Sequence, residues 1–245
     1  MTERCYYTSD AISGEAQVLR CEANGDGLYE VELNATLFHP QGGGQPADSG
    51  TLNGIPVVRL ENRGEQVIHF LEQPVAEETV RLEIDAPLRK RHSRWHSAGH
   101  LIGYAGEEAG WRPVKAHHWP GEGKITFSAA QDAAAPDIST LSDKIAAWIA
   151  ADLPRRVTFE DTLRQVRFGD LPIYGCGGTH VASLAELGEV KLTSLKIKKG
   201  QLIVAYQLEE YTTPLKPVRL FCRRMLIPEK LTPFMSFTDI PFVLS

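Results

Sequence analysis

The sequence predicts an α+β protein in two parts, a small all-β domain over residues 1–88 and a mixed helix-and-strand domain over residues 89–208, followed by a tail over residues 209–245. Three observations predict it. Up to residue 88 the apolar residues come in short runs divided by turn residues, with no competing helical period, which is the pattern of a small barrel or sandwich. From residue 89 to 109 there is no proline, and Ala98, Leu101, Ile102 and Ala105 fall three or four apart, as on one apolar helix face. Beyond that, strand-like alternation returns on both sides of a second helical stretch.

Taken in order, strands are expected over residues 17–21, 28–33, 57–60 and 80–84, with turns at Asn24-Gly25-Asp26-Gly27 and Asn53-Gly54 that favour hairpins. The first helix starts near Leu88. A second is marked by Leu141, Ile145, Trp148 and Ile149, capped at Ser139 or Thr140 and stopped before Pro154. Residues 124–127, 156–159, 190–197 and 202–208 read as strands, the last two joined as a hairpin by Lys198-Lys199-Gly200-Gln201. The tail holds five prolines and no clear period, and its role is unassigned. No internal repeat is visible, which argues against a solenoid or propeller.

The chain carries 26 Lys and Arg against 31 Asp and Glu, a net charge of -5, so it lacks the overall basic excess of a protein held on nucleic acid chiefly by phosphate attraction. A local basic face remains compatible with that balance. No run approaches the roughly 20 apolar residues of a membrane helix and no basic-then-apolar leader opens the chain, so a cytoplasmic protein is expected, with no membrane partner. Cys5, Cys21, Cys176 and Cys222 are too sparse for a disulfide framework, which leaves at least one for another use.

That use is suggested by His96 and His100, an i, i+4 pair on one helix face that can turn two imidazoles toward one ion. Cys176 and His180, also four apart, sit in the glycine-bracketed run Gly175-Cys176-Gly177-Gly178-Thr179-His180. Three imidazoles and one thiolate are a borderline-soft set that suits Zn2+ and disfavours magnesium or calcium. The plainer alternative is hydrogen-bonded core histidines and a small buried thiol. Ser97-Ala98-Gly99 places no glutamate between the histidines, which disfavours a protease of the H-E-x-x-H type. Both a closed structural site with four protein ligands and a site with three and an open position fit these residues.

A further feature is Phe38-His39-Pro40-Gln41-Gly42-Gly43-Gly44-Gln45, whose glycines let backbone pass close to a ligand and expose amide donors. It lacks the Lys-Ser/Thr pair of a phosphate-binding P-loop, and a tight turn between strands is the simpler reading.

Together with His96-Ser97-Ala98-Gly99-His100-Leu101, and with Cys176-Gly177-Gly178-Thr179-His180-Val181 followed by Glu186-Leu187-Gly188-Glu189-Val190-Lys191, this motif resembles the AlaX-type alanyl-tRNA editing proteins over residues 1–208. These are similar to the editing domain of alanyl-tRNA synthetase. Presence of the glycine-rich first domain resembles the medium-length branch. The resemblance implies a translation-factor-like small β-barrel, then an α+β editing domain in which His96, His100, Cys176 and His180 hold zinc. It implies hydrolysis in trans of alanine tRNA mischarged chiefly with serine, and also with glycine, without ATP, since the ester is already activated. Gly43, Gly44 and Gln45 are then candidates for shaping the amino-acid and ribose pocket, with Thr179 and His118 as further substrate-binding candidates. No catalytic base is assigned. The short branch carries a threonine downstream of the second histidine, where this chain reads Lys115-Ala116-His117-His118-Trp119-Pro120.

Candidate tRNA contacts are Arg89, Lys90, Arg91 and Arg94 beside the first helix and Lys191, Lys196, Lys198 and Lys199 in the late hairpin, each equally readable as part of a solvated face, and Trp119 as a stacking ring, for which a packed aromatic is the plainer reading. Two other functions fit the same residues: a zinc-stabilised tRNA-binding module without hydrolytic activity, and a hydrolase of another mischarged aminoacyl-tRNA.

Overall fold

The computed structural model describes residues 1–130, 133 and 135–209; most of the tail expected over 209–245, with Cys222, lies outside the described residues. The first part is built from β1 (Ser13–Ala23), β2 (Tyr29–Leu33), β3 (Gly50–Leu52), β4 (Ile55–Arg63), β5 (Gln66–Leu71) and β6 (Thr79–Ile84). Antiparallel pairing runs β1-β2-β5-β4-β3-β6 and returns from β6 to β1, closing a ring. Alternation explains which side faces in: Val80, Leu82 and Ile84 of β6 are buried, whereas Thr79, Arg81 and Glu83 are exposed. Val31, Leu33, Leu52, Val67 and Leu71 complete the filling. At the expected Asn53-Gly54 turn both residues have positive φ, 47° and 81°, as a two-residue hairpin turn of matching twist requires.

The first helix, α1 (Ala86–Glu108), opens where the composition changes. Asp85 caps it by accepting from Leu88 N–H at 3.0 Å, and Pro87 sits in the first turn, where a missing N–H costs nothing. Every residue from His92 to Gly106 is buried, so the helix is enclosed on all sides and its polar side chains must find partners inside.

Around α1 lie β7 (Trp111–His117), β8 (Lys124–Ala129), α2 (Ile138–Ala150), β9 (Arg155–Glu160), β10 (Leu163–Phe168), β11 (Val190–Lys198) and β12 (Gln201–Leu208). One antiparallel sheet has the order β11-β12-β8-β7. The late hairpin is present as β11 and β12. A second sheet pairs β9 with β10 and β10 with the short strand Tyr174–Gly175, which leads into Cys176. The cap of α2 differs from expectation: Asp137, not Ser139 or Thr140, accepts the Thr140 N–H at 3.2 Å, because a carboxylate one residue before the helix reaches that amide directly.

The described residues form one compact unit holding two hydrophobic cores, one inside the strand ring and one around Trp95, Leu101, Tyr104, Phe127 and Tyr206. Among the described residues no helix is long and apolar enough to cross a membrane.

Candidate metal centre

His96 and His100 lie one turn apart on α1, and the loop after Tyr174–Gly175 brings Cys176 and His180 up to them. One donor atom from each of the four lies within 4.8 Å of the others. The Cys176 Sγ is 3.4 Å from His96 Nε2 and 3.3 Å from His180 Nε2. Ordinary Zn–S and Zn–N bonds at tetrahedral angles put such ligand atoms about 3.5 Å apart, so the donor set has the right spacing for that ion.

The nitrogens turned away from this point are held by the protein. His96 Nδ1 is 2.7 Å from Gln45 Oε1, a carbonyl that only accepts, so Nδ1 carries the hydrogen and Nε2 keeps its lone pair for a metal. His180 Nδ1 meets Ser97 Oγ at 3.1 Å, and His100 Nδ1 meets Tyr104 Oη at 3.3 Å. Burial pulls the His100 pKa down to about 3, and burial with the neighbouring rings pulls His96 and His180 well below the usual histidine range. Neutral imidazoles are the form that binds metal. Burial raises the Cys176 thiol, opposed by the Gly178 N–H and the Arg164 guanidinium. The donor chemistry and spacing therefore fit a metal ion of the zinc type.

Arg164 holds the loop that carries Cys176. Its guanidinium donates to the carbonyls of Cys176 at 2.7 Å, Gly178 at 2.9 Å and Tyr7 at 2.9 Å, while Cys176 N–H donates to the Arg164 carbonyl at 3.0 Å.

A cavity of about 440 Å³ opens beside the cluster, walled by His96, His100, Cys176, His118, Glu107 and Tyr174 together with several glycines. Gly43 is on that wall. Gln45 and Thr179 lie behind His96: Gln45 is fully buried, takes the His96 Nδ1–H and the Thr179 N–H on Oε1, and donates from Nε2 to Thr179 Oγ1 at 2.9 Å. Ser93 Oγ bonds the same Thr179 hydroxyl at 2.7 Å. Gly44 reaches His118 through its carbonyl, which accepts His118 N–H at 2.8 Å. At φ +78° its backbone passes so close to the Ala116 carbonyl that a Cβ has no room.

Of the basic residues beside α1, Arg89 is buried against Asp48, and Arg94 donates to the carbonyls of Glu186, Leu187 and Glu209. Both are committed inside the protein. Lys191, Lys196, Lys198 and Lys199 are exposed. Reasoning from sequence missed Ser93, Ser97, Arg164 and Tyr206. For the two serines a signal existed: Arg89, Ser93, Ser97 form an i, i+4 row beside His96 and His100, a polar face on a helix that must be buried.

Comparison with known proteins bears on this centre. The family described as the threonyl and alanyl tRNA synthetase second additional domain matches residues 163–203, the stretch with Arg164, Cys176 and His180. The alanyl-tRNA editing protein AlaX-M of Pyrococcus horikoshii is 29% identical, over 82% of this chain and 93% of its own length. The alanyl-tRNA editing protein Aarsd1 of Mus musculus is 30% identical, over 79% of this chain and 50% of its own. The chain is thus similar to alanyl-tRNA editing proteins over about four-fifths of its length. An alanine–tRNA ligase of Halobacterium salinarum is 28% identical over 78% of this chain, which spans 24% of that ligase. The AlaX-type match over most of the chain includes His96 and His100, which precede the segment that the shorter family match covers.

Proposed function

We propose that the protein is a trans-editing hydrolase that removes serine, and also glycine, from mischarged alanine tRNA in the cytoplasm. The observation that carries this reading is the buried His96, His100, Cys176 and His180 donor set opening on a cavity of about 440 Å³. It gains support from the similarity to an alanyl-tRNA editing protein over 93% of that protein's length. Residues 1–88 are read as the small translation-factor-like β-barrel domain and 89–208 as the editing domain.

His96, His100, Cys176 and His180 would hold zinc, which would supply a Lewis acid and a fixed positive charge. The chain's own residues do the remaining work. Gln45 and Ser97 fix the orientation of His96 and His180, and Arg164 fixes the loop between Cys176 and Gly178. Glycines at 43, 175 and 177 let the aminoacyl end approach the backbone closely, while Pro113 and Ile125 exclude water from one wall. Because an aminoacyl ester is already activated, a positioned water needs only orientation and charge stabilisation to attack it. The exposed lysines of β11 and its turn supply phosphate contacts, and the exposed Trp119 a face for the terminal base.

The test is deacylation of alanine tRNA charged separately with serine, glycine and alanine, by the zinc-loaded protein and by Cys176→Ala, with zinc counted in both. Loss of serine that depends on Cys176 supports the reading. Survival of all the esters overturns it. Four protein donors, which ordinarily close a structural zinc site, favour a second reading as a tRNA-binding module, for which tRNA would bind without turnover.

A further inference from the structure

His118 follows β7 and is 2% exposed, with its ring stacked on His96 at a centroid distance of 4.3 Å and an interplanar angle of 21°. Its tautomer follows from its neighbours. The Tyr206 hydroxyl has one hydrogen, and the Trp95 carbonyl, 2.9 Å away, can only accept it. The 2.9 Å contact between His118 Nδ1 and Tyr206 Oη is therefore a bond that His118 donates. In a neutral imidazole the other nitrogen, Nε2, is then an acceptor. No described residue bonds to it, and the ring lies on the cavity wall beside His96 and Cys176.

The seat of this ring is built by the two motifs. A Cβ at Gly99 collides with His118 Cε1 and Nδ1, and a Cβ at Gly44 approaches its Cδ2 to 3.3 Å, so both glycines leave the space the imidazole fills. Gly44 also accepts the His118 N–H. Besides the metal donors, the polar side chains described on this wall are His118 and the pair Glu107 and Tyr174, which already bond each other at 2.7 Å.

We propose that His118 is a specificity-determining residue whose Nε2 accepts the side-chain hydroxyl hydrogen of a seryl ester. Resting on the editing function above, this deepens it by naming the group that tells serine from alanine. A seryl hydroxyl pairs with the waiting acceptor, whereas an alanyl methyl group leaves it buried and unpaired, which weighs against alanine. Tyr206 acts through His118 as a positioning residue, since its hydroxyl selects the tautomer that leaves Nε2 open.

The experiment measures kcat/KM for seryl- and alanyl-tRNA with the zinc-loaded wild type, His118→Phe, His118→Gln and Tyr206→Phe. In His118→Phe the ratio of seryl to alanyl hydrolysis falls about tenfold to a hundredfold, the range for losing one buried hydrogen bond. His118→Gln, which offers a carbonyl acceptor, restores part of the ratio, and Tyr206→Phe lowers it by a smaller factor. If His118→Phe releases zinc, Tyr206→Phe carries the test, because ring and pocket remain and only the tautomer-fixing hydroxyl is gone. An unchanged ratio in both variants, or an equal fall for both esters, overturns the assignment. A wild type that hydrolyses neither ester overturns the editing function itself, a result visible before any variant is examined.

Discussion

Gln45 Oε1 stands 2.7 Å from His96 Nδ1, joining the glycine-rich loop of the strand-ring part to α1 across 51 residues of chain. The same oxygen takes the Thr179 N–H at 3.0 Å, so one side chain ties together the three motifs around the candidate metal centre. Gln45→Leu removes an acceptor from a buried N–H and leaves His96 free to turn. Outer hydrogen bonds of this kind contribute about 10–100-fold to metal affinity, and zinc competition against a chelator is expected to show a loss in that range. Unchanged zinc affinity would show that packing alone orients His96.

How much of this centre is legible in the sequence depends on whether the relevant contact is local. His96 with His100, and Cys176 with His180, are each four apart, so their joint use is written in short-range spacing. The function of Gln45 is not, because its partners His96 and Thr179 are far away in sequence. β7 also escaped the pattern: Pro113 interrupts its alternation and is accommodated where the pairing with β8 shifts register between Thr126 and Phe127. That strand delivers His118. β10 alternates correctly, but its buried row is Arg164, Val166 and Phe168, and an arginine facing inward breaks the apolar signal. Its burial is sustained by carbonyl acceptors from a loop that the sequence does not place beside it.

Arg164 therefore invites substitution. Its three carbonyl bonds come from one planar fork, which lysine cannot reproduce, so Arg164→Lys and Arg164→Met both leave buried carbonyls unpaired. Each unsatisfied group costs about 1–3 kcal/mol. Urea unfolding is expected to register a loss of that order, with zinc leaving the folded protein faster because the Cys176 loop is no longer fastened. A variant with normal stability and normal zinc release would contradict this account.

The join between the ring part and α1 rests on Arg89 and Asp48. Arg89 donates from Nε to Asp48 Oδ1 at 2.8 Å, and from the guanidinium to the Leu37 carbonyl at 2.6 Å, while His39 N–H donates to the same carboxylate. Removing one partner strands a buried charge, at a cost of about 3–5 kcal/mol. Asp48→Ala is expected to fall in that range by denaturant unfolding. The double variant with Arg89→Met should recover part of the loss, since no charge then stays behind, and absence of any recovery would mean that the acceptors for His39 and the fork matter more than the charge.

His69 of β5 supplies a pH dependence away from the metal. It is fully buried inside the ring part, where Thr36 Oγ1 lies 2.8 Å from Nε2 and the Val31 carbonyl 3.3 Å from Nδ1. The carbonyl can only accept, so Nδ1 carries the hydrogen and Nε2 accepts from the threonine, whose oxygen in turn takes the Phe38 N–H at 3.1 Å. Burial lowers the His69 pKa from 6.5 to about 4. Between those values the unfolded chain binds a proton that the folded chain refuses, so stability is highest above pH 6.5 and declines as the pH falls toward 4. Over the whole window the loss amounts to about 3 kcal/mol. Other buried histidines add to the same slope, so the measurement is a difference. Unfolding free energies of wild type and His69→Gln are compared from pH 7.5 to about 4.5, above the onset of general acid denaturation. The variant is less stable at neutral pH, and its disadvantage shrinks as the pH drops because it has no proton to refuse. Parallel pH profiles for the two proteins would show that His69 takes up its proton without leaving the folded state.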